Sequence, residues 1–126
     1  MHYSEFVTKY TLPYFGLEHL FDPNKGYIVW RLGTGGNVEL LHIRVFKKQR
    51  GYGEELVRAM LLSLKKRPPY HSVFGFTKRN RPASLAFYRK LGFKLVKTTG
   101  PYKDSSGVMF YQSYKVLCRK LLGEEL

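Results

Sequence analysis

The 126 residues suit one domain, and a hydrophobic share of 44% excludes a disordered chain. The 22 Lys+Arg against 9 Asp+Glu give a net charge of +13, a field that draws anionic partners and repels polycations. A single cysteine, Cys118, excludes an internal disulfide framework. No apolar run reaches membrane-spanning length, and Met1 to Tyr10 lacks a basic-then-apolar leader, so a soluble protein of the reduced cytoplasm is expected.

Residues 1–22 carry aromatic and leucine positions interrupted by Pro13 and Gly16, which suggests one or two short helices. Asp22-Pro23-Asn24-Lys25-Gly26 reads as a turn. Tyr27 to Leu32 reads as a strand, Gly33-Thr34-Gly35-Gly36 as a hairpin turn, and Asn37 to Val45 as a second strand. In a regular strand Val38, Leu40 and His42 share one face, and Glu39, Leu41 and Ile43 the other. Leu56, Val57, Met60, Leu61 and Leu64 recur at helical spacing and predict a helix from Tyr52 to Lys66. Glu54 and Glu55 begin it, and Lys65, Lys66 and Arg67 end it, as the helix dipole favours. His71 to Thr77 predicts a third strand. Pro82 opens a helix that runs to Leu91 and stops at Gly92. Phe93 to Thr98 and Val108 to Leu117 predict further strands, with a loop at 102–107 and a tail from Cys118. The order predicts an α/β fold with a mixed sheet and helices on its faces.

Two segments carry chemistry. Lys48-Gln49-Arg50-Gly51-Tyr52-Gly53 lies where a strand hands over to a helix. Glycine there permits a sharp turn and close approach of a ligand, and the first-turn N–H groups of the helix form an anion site. A diphosphate needs several such donors, and Lys47, Lys48 and Arg50 add charge. Taken alone, a Gly-x-Gly more often marks an ordinary tight turn; here an apolar strand, a basic loop and an amphipathic helix surround it. The second segment, Phe87-Tyr88-Arg89-Lys90-Leu91-Gly92-Phe93, closes the second helix.

Together the two segments resemble the GNAT superfamily, the acetyl-CoA-dependent N-acetyltransferases, over residues 27–117. The first is similar to the family pattern Gln/Arg-x-x-Gly-x-Gly/Ala, with lysine in the first position. The second is similar to the family ending Phe-Tyr-x-Lys-x-Gly-Phe. The resemblance implies a single domain over residues 1–126, with a mixed, mostly antiparallel central sheet, helices on both faces and an abbreviated N-terminal helical part. It implies acetyl-CoA as co-substrate and transfer of an acetyl group to a primary amine. It implies cofactor binding by Ile43, Arg44, Val45, Lys48, Gln49, Arg50, Gly51, Tyr52, Gly53, Glu54, Asn80 and Ser84. Asn80 stands one residue farther from the tyrosine than the pattern has it. The backbone amide near Ile43 would polarise the thioester, Tyr88 would protonate the departing sulfur, and Glu39 would accept the amine proton. A phenol, with a pKa of about 10, is a proton donor at neutral pH.

No cluster of His, Cys, Asp and Glu has metal-ligand spacing, so no metal is expected. The positive charge points to an acceptor amine on an acidic macromolecule such as a protein. Two rivals remain open: a nucleic-acid-binding module on the same fold, and an enzyme that modifies a nucleobase.

Overall fold

The structure is a computed structural model that describes residues 1–6, 17–48, 50–67, 69–98 and 107–123. In chain order the elements are α1 (Tyr3–Phe6), β1 (Leu17–Asp22), β2 (Gly26–Leu32), β3 (Asn37–Val45), α2 (Tyr52–Leu64), β4 (Ser72–Lys78), α3 (Pro82–Leu91), β5 (Lys94–Thr98), β6 (Gly107–Ser113) and α4 (Tyr114–Leu122). The six strands form one sheet in the order β1-β2-β3-β4-β6-β5. Every neighbouring pair is antiparallel except β3–β4. That parallel pair needs a crossover, and α2 supplies it.

The two faces of the sheet are covered differently. On one, the α2 stripe of Leu56, Val57, Met60, Leu61 and Leu64 packs with Ile28, Trp30, Val38 and Leu40 of the sheet. Burial of each such side chain stabilises by about 1.5–3 kcal/mol. Tyr88 and Leu91 of α3 and Leu117, Cys118 and Leu121 of α4 join the same cluster. Cys118 is fully buried there. On the other face Tyr27 and Val29 pack with Leu17, Phe21, Leu41 and Phe46. Tyr3 of α1 sets its ring edge-on to Phe21 at 5.5 Å. Helices therefore lie on both faces, as the sequence predicts.

Three expectations need correction. Leu17–Asp22 is a strand, where short helices were expected across residues 1–22. Its pairing with β2 explains this: Leu17, His19 and Phe21 lie opposite Arg31, Val29 and Tyr27, and Glu18 accepts a hydrogen bond from the Trp30 indole at 2.9 Å. Residues 7–16, the other part of that expectation, lie outside the described residues, as do 102–106 of the expected loop. The last strand stops at Ser113, short of Leu117. The Ser113 hydroxyl accepts from the Val116 N–H at 3.1 Å and so caps α4. Tyr114, Leu117, Cys118 and Leu121 then bury one stripe of that helix. Finally, β3 carries a bulge. Leu40 lies opposite Trp30 and His42 opposite Val29, so Leu41 is the extra residue. Beyond it Ile43 and Val45 share the helix-covered face with Val38 and Leu40. Glu39 and Ile43 thus lie on opposite faces, and His42 leaves the face of Leu40.

Strands β3 and β4 pair only from Asn37–Ser72 to Glu39–Phe74. Beyond that point they separate. Gly75 sits at the fork: a Cβ there would come within 2.7 Å of the Leu40 carbonyl oxygen and 2.2 Å of the Phe110 ring. Gly75→Ala should therefore overpack the fork and lower stability by about 1–3 kcal/mol. A urea unfolding curve with a lower midpoint and unchanged slope checks this; an unshifted midpoint would show that the fork has slack.

Candidate functional site

The fork opens a cleft of about 700 Å³ between β3 and β4. Among the described residues, no strand pairs with the β4-facing edge of β3 beyond Glu39. The backbone of β3 beyond the fork borders the cleft instead of a neighbouring strand. Leu41, His42, Ile43 and Val45 line one wall, and Phe76 and Thr77 of β4 the other.

The floor at one end is the start of α2. Gly51 caps the helix in the left-handed region, with φ 72°, and no side chain caps it. The first bond inside the helix runs from the Glu55 N–H to the Gly51 carbonyl at 3.2 Å. The amides of Tyr52, Gly53 and Glu54 have no acceptor within the helix. A Cβ on Gly51 would meet nothing within 4 Å, so this corner is open. A Cβ on Gly53 would meet the Phe87 ring at 2.8 Å, so glycine lets α2 and α3 approach closely here. The two glycines serve different ends: one turns the chain, the other lets helices touch.

Tyr88 borders the same cleft from α3. It is held on three sides. Its ring stacks on Phe110, with centroids 3.7 Å apart and planes within 11°. Phe87 and Phe93 meet it edge-on at 5.2 Å and 5.8 Å. Phe110 in turn lies over Gly75, so the tyrosine is fixed relative to the fork itself.

Charge around the cradle is sorted. Lys47, Lys48 and Arg50 line the cleft beside Gly51, and Lys78, Arg81 and Lys90 line it from the α3 side. The two acids at the start of α2 face cations of their own. Glu55 pairs with Lys25 at 2.8 Å, which raises the lysine pKa above its ordinary value through that hydrogen bond and charge. Glu54, one helical turn before Arg58, pairs with it at 3.4 Å. Their repulsion of an anion at the cradle is correspondingly reduced.

Of the residues named from sequence, the cleft brings together Ile43, Val45, Lys48, Arg50, Gly51, Tyr52, Gly53, Glu54, Ser84 and Tyr88. Three named residues are not in its lining. Arg44 is exposed and lies opposite Tyr27. Asn80 is exposed in the turn before α3. Glu39 pairs with Arg31 on the far face. Gln49 lies outside the described residues. The lining residues that sequence reasoning missed include His42, Phe76, Thr77 and Phe87. His42 was hidden by the bulge, and Phe76 and Thr77 by having no local motif. Phe87 was legible as the neighbour of Tyr88 but carried no reason to face Gly53. Among the described residues, no group of three or more His, Cys, Asp or Glu could hold a metal ion, and no helix is long and apolar enough to cross a membrane.

Comparison with known proteins bears on this geometry. No curated protein matches the sequence. Among solved structures, Ard1 from Thermoplasma volcanium is 20% identical with a TM-score of 0.60, over 71% of this chain and 62% of that one. A candidate acyl-CoA N-acyltransferase from Klebsiella pneumoniae subsp. pneumoniae is 19% identical with a TM-score of 0.68, over 88% of this chain and 81% of that one. The PaiA N-acetyltransferase from Thermoplasma acidophilum, in complex with coenzyme A, is 22% identical with a TM-score of 0.61, over 71% of this chain and 54% of that one. At these identities the likeness is one of fold. The chain spans less than two thirds of the length of Ard1 and PaiA. The FR47-like protein family matches residues 25–100, which include the bulged strand, the cradle and the tyrosine helix. The chain therefore belongs to the FR47-like family, within the GNAT superfamily.

Proposed function

We propose that the protein is an acetyl-CoA-dependent N-acetyltransferase that acts on a primary amine of an acidic macromolecular acceptor such as a protein. One observation carries the reading: a single cleft is lined by both the uncapped start of α2 and the tyrosine of α3. The residues present fit coenzyme A. The open corner at Gly51, free of any atom that a Cβ would meet, leaves room for a phosphate against the amides of Tyr52, Gly53 and Glu54. Lys48 and Arg50 add charge to the same anion. A relative of similar fold is described in complex with coenzyme A, which supports the same ligand here.

The chemistry supplied by acetyl-CoA is an activated acyl group on a thioester. This chain's residues then divide the work. Amides of the unpaired β3 edge near Ile43 donate to the acyl oxygen as it gains negative charge. The amine nitrogen bonds to the acyl carbon and the carbon–sulfur bond breaks. Tyr88 gives its phenolic proton to the departing sulfur. His42, which lines the cleft beside the bulge, takes the proton that the nitrogen loses; imidazole is the side chain suited to that exchange near neutral pH. The phenolate left on Tyr88 recovers a proton through solvent, so protons balance over the cycle. Glu39, engaged with Arg31 away from the cleft, has no part in this reading.

The acceptor is inferred from charge. A net charge of +13 raises the local concentration of anionic partners and disfavours polyamines.

Two substitutions test the assignment with a lysine peptide flanked by acidic residues, read by thiol release and by the mass of the acetylated product. Tyr88→Phe should lower kcat about 10²-fold while the Kd for coenzyme A is unchanged. Equal turnover would remove Tyr88 from the chemistry. His42→Gln should also lower kcat about 10²-fold and abolish the acidic limb of the pH–rate profile. A profile with the limb intact would assign the proton to another group.

A further inference from the structure

The buried side chains of this domain are aliphatic, aromatic or sulfur-bearing, save one among those described: Thr77, at 7% exposure. It joins the lining of the cleft from β4. Its hydroxyl has no hydrogen-bond partner among the described residues. Polar atoms on buried rings elsewhere are satisfied. The Tyr114 hydroxyl donates to the Leu61 carbonyl at 3.1 Å, and the Trp30 indole donates to Glu18 at 2.9 Å. A buried hydroxyl without a partner costs stability. Valine would fill the same space, keep the β-branch that suits a strand and leave no polar atom unpaired. Packing alone therefore does not account for a threonine here.

Its place along the cleft says what it can meet. Val73, Gly75 and Thr77 alternate as the buried positions of β4. Gly75 marks the fork, and Thr77 stands about 7 Å farther along the strand. Strands β3 and β4 are parallel, so both run from the fork toward its open end. The chain leaves β3 at Val45 and enters α2 at Tyr52, so the cradle stands toward that open end. The Tyr88 ring stacks on Phe110, whose ring lies against Gly75. Thr77 thus stands between the anchor of the phenol and the cradle.

Coenzyme A joins its diphosphate to its sulfur through an arm that contains amide groups. With the diphosphate on the α2 amides and the sulfur near Tyr88, that arm passes Thr77. Leu41, Ile43 and Val45 on the facing wall, and Phe76 beside Thr77, are apolar. An amide set among them without a partner loses its hydration for nothing. We infer that the Thr77 hydroxyl hydrogen-bonds an amide of this arm, and that Thr77 is a specificity-determining residue favouring thioesters that carry the amide. The inference rests on the coenzyme A reading of the cleft. A hydroxyl can donate to the amide carbonyl or accept from its N–H, so either face of the amide serves. The same group weakens the free fold and strengthens the complex, a division expected of a residue kept for binding rather than packing.

Isothermal titration of coenzyme A, beside adenosine diphosphate, tests this on the full chain; the second compound keeps a diphosphate and lacks the arm. Thr77→Val should weaken coenzyme A about tenfold and leave adenosine diphosphate within about twofold. Thr77→Ser, which keeps the hydroxyl, should bind coenzyme A within about threefold of the parent. The thermal midpoint of ligand-free Thr77→Val should equal or exceed the parental one, because no partner inside the fold is lost. Unchanged coenzyme A affinity in Thr77→Val overturns the inference. Equal weakening of both compounds also overturns it, as does a lowered midpoint, which would place the partner of the hydroxyl within the fold. A parent that binds neither compound removes the coenzyme reading and this inference with it. A parent that binds coenzyme A, with Thr77→Val unaltered, removes the inference alone.

Discussion

The site depends on one constraint, the point at which β3 and β4 stop pairing. Glu39–Phe74 is the last pair. Two features shape the fork at that point. The bulge at Leu41 shifts the phase of β3, so that Ile43 and Val45 continue the helix-covered face after Leu40. Gly75 lets the Leu40 carbonyl and the Phe110 ring approach the β4 backbone at the same spot. A larger residue there would displace one of them. Because Phe110 also carries the stacked ring of Tyr88, the fork fixes both the opening of the cleft and the phenol beside it. Packing and chemistry share the same few atoms.

Electrostatics follows from the same layout. A helix start offers amides to an anion, and acids in the first turn would ordinarily compete for them. Here Glu55 turns to Lys25 and Glu54 to Arg58, while Lys48 and Arg50 stay in the lining.

Much of this was legible in the sequence, for physical reasons that can be named. The cradle declared itself because a glycine pair between an apolar strand and an amphipathic helix has few other uses in that combination. The α3 segment was legible from its Phe-Tyr ending and its Gly92 stop, and Gly92 does take the left-handed conformation, with φ 103°. What failed was decided by partners distant in sequence. Leu17 to Asp22 is half-buried on every residue, so its alternation is blurred until β2 pairs with it. The bulge is set by the register of β2 against β3, which no local pattern in Asn37 to Val45 records. It moved Ile43 onto the face of Leu40 and His42 off it, and so separated Glu39 from Ile43. Helix α4 is a different case. The serine cap at Ser113 and the spacing of Tyr114, Leu117, Cys118 and Leu121 were present, but the strand alternation before Ser113 masked them.

The central claim is that amides at the start of α2 grip the diphosphate of coenzyme A. Titrating ¹⁵N-labelled protein with coenzyme A and following its amide resonances tests that claim most directly. The account predicts saturable shifts that are largest at Gly51, Tyr52, Gly53 and Glu54, since charge-assisted hydrogen bonds form at those groups. Saturable binding that leaves these four amides unmoved while others shift would contradict it.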